Sequence, residues 1–249
     1  MKDLDLERAL ELADAADKSD ALHRIGTYNE RSQHRTLKFI IEANKDLHEI
    51  PIGPYIADVC REGHIYEIQT AGFASLKEKL AFFLKDHYVT VVYPASVIKN
   101  IIWLDPDTGE YTLGRRFSKK SSLYKLLCEL IHIHQFLNDP KLDIMVFENE
   151  VYEYRLLDGR GKDKKIKATK SDTVPKKIIS VFNFSCAHDI LKILPFEAEH
   201  EYTRSDIQKA LGLKGRNLAN AIKVLILLDL LQKNRVEKKK IYYKLRAFE

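Results

Sequence analysis

The chain has 249 residues, 45% of them hydrophobic and 31% charged, a balance that belongs to a folded protein with a full core and excludes a disordered or low-complexity polymer. No apolar run approaches the ~20 residues that a membrane-crossing helix needs, and the acidic, amphipathic start MKDLDLERALELADAAD is unlike a secretory signal. The net charge of +5 is unevenly placed: Phe196 to Glu249 holds 12 Lys or Arg against 7 Asp or Glu, so a polyanionic partner is expected for that segment.

Residues 3–16 read as a helix with Leu6, Leu10 and Ala13 on one stripe, suited to packing or to a homodimer contact. A polar connector follows to about Gly26. Residues 29–46 read as a second helix whose apolar face is Leu37, Ile40, Ile41 and Leu47. Glu30, His34, Leu37 and Ile41 fall at helical steps, so the two polar residues continue the buried stripe. His34 reads as a structural histidine at the core edge; Glu30 is either a first-turn carboxylate favoured by the helix dipole or a site acid.

Tyr55 to Thr70, YIADVCREGHIYEIQT, reads as a β-hairpin turning at Arg61-Glu62-Gly63-His64. That register sets Cys60 opposite Ile65, Asp58 opposite Glu67 and Ile56 opposite Gln69, with Asp58, Glu67 and Gln69 on one face. Two carboxylates roughly 5 Å apart at Cβ repel. A divalent cation with oxygen preference removes that cost, although a wetted hairpin face is the plainer reading.

The hairpin resembles the active-site core of the PD-(D/E)XK nuclease superfamily, the restriction-endonuclease-like fold. Its motif here is the variant with Gln in the third place, Asp58 and then Glu67-Ile68-Gln69, and Ala57 stands where the family has Pro. The resemblance implies that Asp58 and Glu67 bind Mg²⁺ or Mn²⁺ and that Gln69 orients a water, without the charge of the usual Lys. It also implies an acid from the preceding helix, for which Glu30 is the first candidate and Glu42 and Glu49 are weaker ones.

Phe73 to Lys85 reads as an amphipathic helix with Phe73, Leu76, Leu80 and Phe83 inward and Lys77, Lys79 and Lys85 outward. Tyr88 to Tyr93 is a β-branched buried strand that Pro94 is expected to end. The order over about residues 28–95 is the αβββαβ order of the nuclease core, so the expected fold is α/β with a mixed sheet flanked by helices. Ile101–Leu104 and Tyr111–Leu113 suggest a second hairpin around an ordinary Asp105–Gly109 turn. Arg115, Arg116, Lys119 and Lys120 then gather before a helix at 121–137, where they could grip phosphates or simply be solvated. Leu142–Phe147 and Val151–Leu157 read as two apolar runs around Glu148-Asn149-Glu150, Arg160–Lys170 as a basic loop, and Ile178–Phe184 as a strand or linker. Cys60, Cys128 and Cys186 are single and widely spaced, the pattern of reduced thiols in a cytoplasmic protein.

After a short helix at Ala187–Leu194, Thr203-Arg204-Ser205-Asp206 reads as an N-cap opening a helix to Leu211. A Gly212–Gly215 turn leads to a long helix from Arg216 to Leu231, and Leu231–Arg235 pairs with Lys240–Leu245. This order is similar to a winged helix-turn-helix, with the helix after the glycine turn as the recognition helix. The resemblance implies DNA contacts from Arg216, Asn217, Asn220 and Lys223, and wing contacts from Lys238, Lys239 and Lys240. The expected domains are a helical arm at 1–27, the nuclease-like domain at 28–184 and the winged helix at 185–249. The combined expectation is a cytoplasmic, Mg²⁺-dependent endonuclease acting on duplex DNA. The alternatives are a catalytically inactive DNA-binding protein of the same fold and a protein-interaction module.

Overall fold

In a computed structural model the described residues are 6–21, 32–160 and 166–246. They form a mixed α/β structure in which a seven-stranded mixed sheet is flanked by helices, followed by a three-stranded sheet with two helices of its own. The first described element is α1 (Leu6–Ala21), which lies against α2 (Ser32–Ile41). Ala9 and Ala13 are the buried side chains of that seam and Phe39 of α2 fills it, whereas Leu6 and Leu10 are only half-buried. Small residues let the two helices approach closely, while Leu37 and Ile41 turn the other way onto the sheet. Covered on two sides, α2 therefore ends in a nearly unbroken apolar run. It stops at Ile41, short of the expected Asp46, because the Asn44 side chain accepts from Asp46 N–H (3.0 Å) and opens a separate 3₁₀ turn.

Strands β1 (His48–Ile52), β2 (Tyr55–Arg61) and β3 (His64–Ile68) form an antiparallel meander. The β2–β3 register has Cys60 opposite Ile65 as expected, and the ladder runs one pair further, with Arg61 opposite His64 where a loop was expected. The connection is only Glu62 and Gly63, at φ +52° and +79°. Two consecutive left-handed residues give a hairpin turn whose twist matches its strands, and glycine takes that conformation without a Cβ clash.

Helix α3 (Phe73–Phe83) crosses over to β4 (Tyr88–Leu104), which runs parallel to β3. The sequence of elements is thus helix, three strands, helix, strand, as expected. Pro94 does not end the strand. Val92 C=O accepts from Gln69 N–H, so the main-chain groups of Val92, and of Pro94 two residues on, point to the β3 side. Strand β3 has already ended there, and the missing proline N–H breaks no ladder bond. β5 (Tyr111–Ser118) pairs with the far half of β4 in the space β3 has left. Helix α4 (Ser121–Leu130) follows and stops well before residue 137, with a 3₁₀ turn at His134–Phe136.

β6 (Leu142–Leu156) is one strand rather than two runs, parallel to β4 along its whole length, and β7 (Thr169–Phe184) is its antiparallel neighbour. The Glu148-Asn149-Glu150 interruption is absorbed by register shifts in both ladders. Part of the expected 160–170 loop lies outside the described residues.

After a 3₁₀ segment at Ala187–Ile193 come β8 (Glu201–Thr203), α5 (Arg204–Leu211), α6 (Gly215–Leu227), β9 (Leu231–Glu237) and β10 (Lys240–Leu245). β8, β10 and β9 make the small sheet, with β8 unforeseen. The expected cap is present: Thr203 Oγ1 accepts from Asp206 N–H and the Asp206 carboxylate accepts from Thr203 N–H. The apolar core is continuous from Leu126, Leu127 and Val146 through to Leu218, Ala221 and Leu225, so α4 is shared between the large sheet and the C-terminal elements.

Candidate functional site

β2 and β3 are paired as far as Val59 and Tyr66, and there the ladder stops. Beyond that point Asp58 N–H donates to Glu67 Oε1 (3.2 Å) and Ile68 N–H donates to Asp58 Oδ2 (2.7 Å). Each carboxylate takes the place a main-chain carbonyl would have held, so the strands part around the two acids. Asp58 and Glu67 therefore meet at this notch, though through these side-chain hydrogen bonds and not as the opposed ladder pair expected.

Two helices on opposite faces of the sheet reach the same notch. α2, packed on Val59, Ile68, Val92 and Phe147, sets His34 Nε2 3.3 Å from Asp58 Oδ2. α3, packed among Ile65, Val89 and Val91, sets Lys79 Nζ 2.5 Å from Glu67 Oε2. Lys79 is not outward as expected: it flanks the apolar stripe between Leu76 and Phe83, and its ammonium lies 5.6 Å from the Phe83 ring centroid. That spacing is the one sequence signal that marks it out. A lysine on the edge of a buried helical face can lay its stem on the core and deliver its charge to a buried acid.

Glu67 is 2% exposed. Burial, followed by the charge of Asp58, pushes its carboxyl up to about 7, and Lys79 offsets only part of this. For Asp58 burial also acts upward, but the His34 imidazole, the Ile68 amide and the Lys79 charge outweigh it and hold the carboxyl below its ordinary value. Two carboxylates in contact are thus driven apart, one firmly ionised and one poised near neutrality.

The oxygen donors of Asp58 and Glu67 suit a hard divalent cation, and Lys79 already neutralises part of their charge. Among the described residues no group of three or more His, Cys, Asp or Glu gathers as a metal site. Glu30, the expected third acid, lies outside the described residues. Glu42 and Glu49 are engaged elsewhere, with Arg61 at 3.6 Å and with Lys38 at 3.1 Å. Gln69 Nε2 donates to Ala71 C=O (2.5 Å), so its amide is turned onto its own loop.

Arg216 and Asn217 are exposed in the first turn of α6, Asn220 is half-buried and Lys223 exposed; Arg216, Asn220 and Lys223 share one outward stripe. Lys238 and Lys239 form the β9–β10 turn at φ +47° and +66°, with Lys240 exposed beside them. Lys119 and Lys120 are exposed immediately before α4. Arg116 is not available in the same way, since it pairs with Glu150 at 3.2 Å, and so does Lys176 at 2.9 Å. The Asp105 turn is the ordinary one expected, its carboxylate accepting from the Asp107 and Thr108 amides. Cys60, Cys128 and Cys186 are all free thiols. No helix among the described residues is long and apolar enough to cross a membrane.

The fold and the notch define a mixed α/β protein that holds two carboxylates, a lysine and a histidine where two strands diverge. The chain belongs to the family of the domain of unknown function DUF8091, whose model matches residues 31–185. An uncharacterized protein of Treponema pallidum (strain Nichols) is 32% identical over 144 residues, which span 57% of this chain and 57% of that relative. No solved structure matches the chain.

Proposed function

We propose that the protein is a metal-dependent nuclease of the restriction-endonuclease-like class, hydrolysing phosphodiester bonds in DNA that a C-terminal winged helix positions. The observation that carries this reading is the Asp58–Glu67–Lys79 constellation in a strand-divergence notch, reached through the helix, three strands, helix, strand order. Asp58 and Glu67 would hold Mg²⁺ or Mn²⁺. When bound, such an ion lowers the pKa of a coordinated water and neutralises charge building on the scissile phosphate. His34 keeps Asp58 ionised, and Lys79 presents a positive charge that the third motif position, Gln69, cannot supply. Glu67, near neutrality, can exchange a proton at physiological pH. Three free thiols agree with a reducing, cytoplasmic setting.

A non-catalytic DNA-binding protein of the same fold is the second reading, favoured by one observation: the Gln69 amide is turned to Ala71 rather than to the acids. The test is incubation of plasmid with Mg²⁺ or Mn²⁺, comparing wild type with Asp58→Ala. Metal-dependent nicking that the substitution abolishes supports the nuclease. Binding without cutting under either metal transfers the case to the second reading.

A further inference from the structure

Five basic side chains on two separate elements converge at the head of α4. Lys119 and Lys120 sit in the turn before the helix, tied by Lys119 N–H to Val97 C=O at 2.6 Å, and Lys125 follows one turn inside it. Across from them the α5–α6 turn carries Lys214 and Arg216. Gly212 seats this turn against the helix so closely that an added Cβ would lie 3.1 Å from Ser121 Cβ. All five are exposed.

Among the described residues no carboxylate forms an ion pair with Lys119, Lys120, Lys125, Lys214 or Arg216, and the nearby acids are engaged elsewhere. Glu129, one turn further along α4, accepts from the Gly72 and Phe73 amides (2.9 and 3.1 Å) at the start of α3. Glu153 is shared between Lys99 and Arg155. Burial and the neighbouring positive charges of Lys119 and Lys99 press the Lys125 ammonium below its ordinary value, and the Glu129 charge offsets this only in part. Such a surface is held at an electrostatic cost that an incoming polyanion relieves. The first turns of both α4 and α6 lack acids and side-chain caps, so their amides add to the attraction.

We infer that Lys119, Lys120, Lys125, Lys214 and Arg216 form one phosphate-binding surface that grips a nucleic-acid backbone, three of them supplied at the head of α4 and two where the α5–α6 turn enters α6. The identity of the polyanion rests on the DNA reading above; the surface itself does not. Lys125 and Lys214 are the residues it adds. The consequence is that DNA is held at the joint between the large sheet and the C-terminal elements, not by α6 and the wing alone.

The experiment measures, with the full chain, affinity for a short labelled duplex over a range of salt, and separately for inorganic tripolyphosphate. Lys125→Gln with Lys214→Gln should weaken duplex binding at least tenfold and flatten the logarithmic salt slope by about 1.8, at about 0.9 per lost phosphate contact. Both positions are exposed, and unchanged thermal unfolding confirms an intact fold. If wild type binds duplex and the double variant matches it in affinity and slope, the inference is overturned while the DNA reading stands. If wild type ignores duplex yet binds tripolyphosphate in a Lys125- and Lys214-dependent way, the surface stands and the DNA reading falls. Binding of neither probe overturns the surface.

Discussion

Replacing Glu67 by Gln should stabilise the protein at alkaline pH and leave it unchanged in acid. The unfolded chain releases the Glu67 proton near its ordinary 4.5, whereas the folded chain keeps it until about 7. Between those values the native state binds more protons than the unfolded one, so stability falls as pH rises through the window and is level outside it. With one pH unit equivalent to about 1.4 kcal/mol, the penalty carried by ionised Glu67 above pH 7 is about 3 kcal/mol. Gln removes the charge and keeps the shape, and its side-chain oxygen can still accept from Asp58 N–H. Lys79 loses an ion-pair partner, but its side chain retains 19% exposure, enough to draw water to the ammonium. The expected gain at pH 8 is a rise in Tm of roughly 6–12 °C, at roughly 2–4 °C per kcal/mol for a chain of this size. Thermal unfolding of both proteins from pH 4 to 9 reads it directly. A variant less stable than wild type at pH 8, or a difference that does not change with pH, refutes the burial argument and makes the Lys79 pair the dominant effect.

Adding Mn²⁺ or Mg²⁺ should raise the Tm of wild type by mass action, and the shift should vanish in an Asp58→Ala, Glu67→Ala double variant. Equal shifts in both proteins would place the ion elsewhere. Under the nuclease reading, Glu67→Gln abolishes cutting and leaves duplex affinity within a few-fold, because one remote carboxylate contributes little to a phosphate-dominated interface; cutting at the wild-type rate would assign the activity to another site. Leu127→Ala, fully buried in the shared core, should cost about 2–5 kcal/mol and lower a single cooperative transition. A separate, unshifted transition of the C-terminal elements would show that they fold independently.

The hairpin register was legible in the sequence because a glycine turn and two alternating runs leave little freedom: one residue of slip would have exchanged the two faces, taking Ile65 from beneath α3 and Ile68 from beneath α2. The α5 cap was equally local, Thr203 and Asp206 being three residues apart. The long strands were not legible. Pro94 looks like a stop unless β3 is known to have ended beside it, and Glu148-Asn149-Glu150 looks like a loop. The structure gives these acids distant partners: Ser180 Oγ donates to Glu148 at 2.5 Å, and Asn100, Arg116 and Lys176 all donate to Glu150. The site divides in the same way. The facing of Asp58 and Glu67 follows from one turn, but Lys79 and His34 come from helices on opposite faces, and no local pattern sets their distance to the acids. Reading Lys79 as outward took the apolar stripe as the whole of the buried face and neglected its border.

The contact between α4 and α6 also provides a chemical clock. Cys128 Sγ donates to Asn217 C=O at 3.3 Å, and burial followed by the Glu129 charge pushes the thiol up to about 11. At neutral pH it is therefore almost wholly protonated and slow toward alkylating reagents while the two helices stay seated. Cys186 is exposed and serves as the internal reference in the same molecule. The ratio of the two alkylation rates counts how often α6 lifts from α4, a measure of breathing at this joint that needs no ligand or assay of activity.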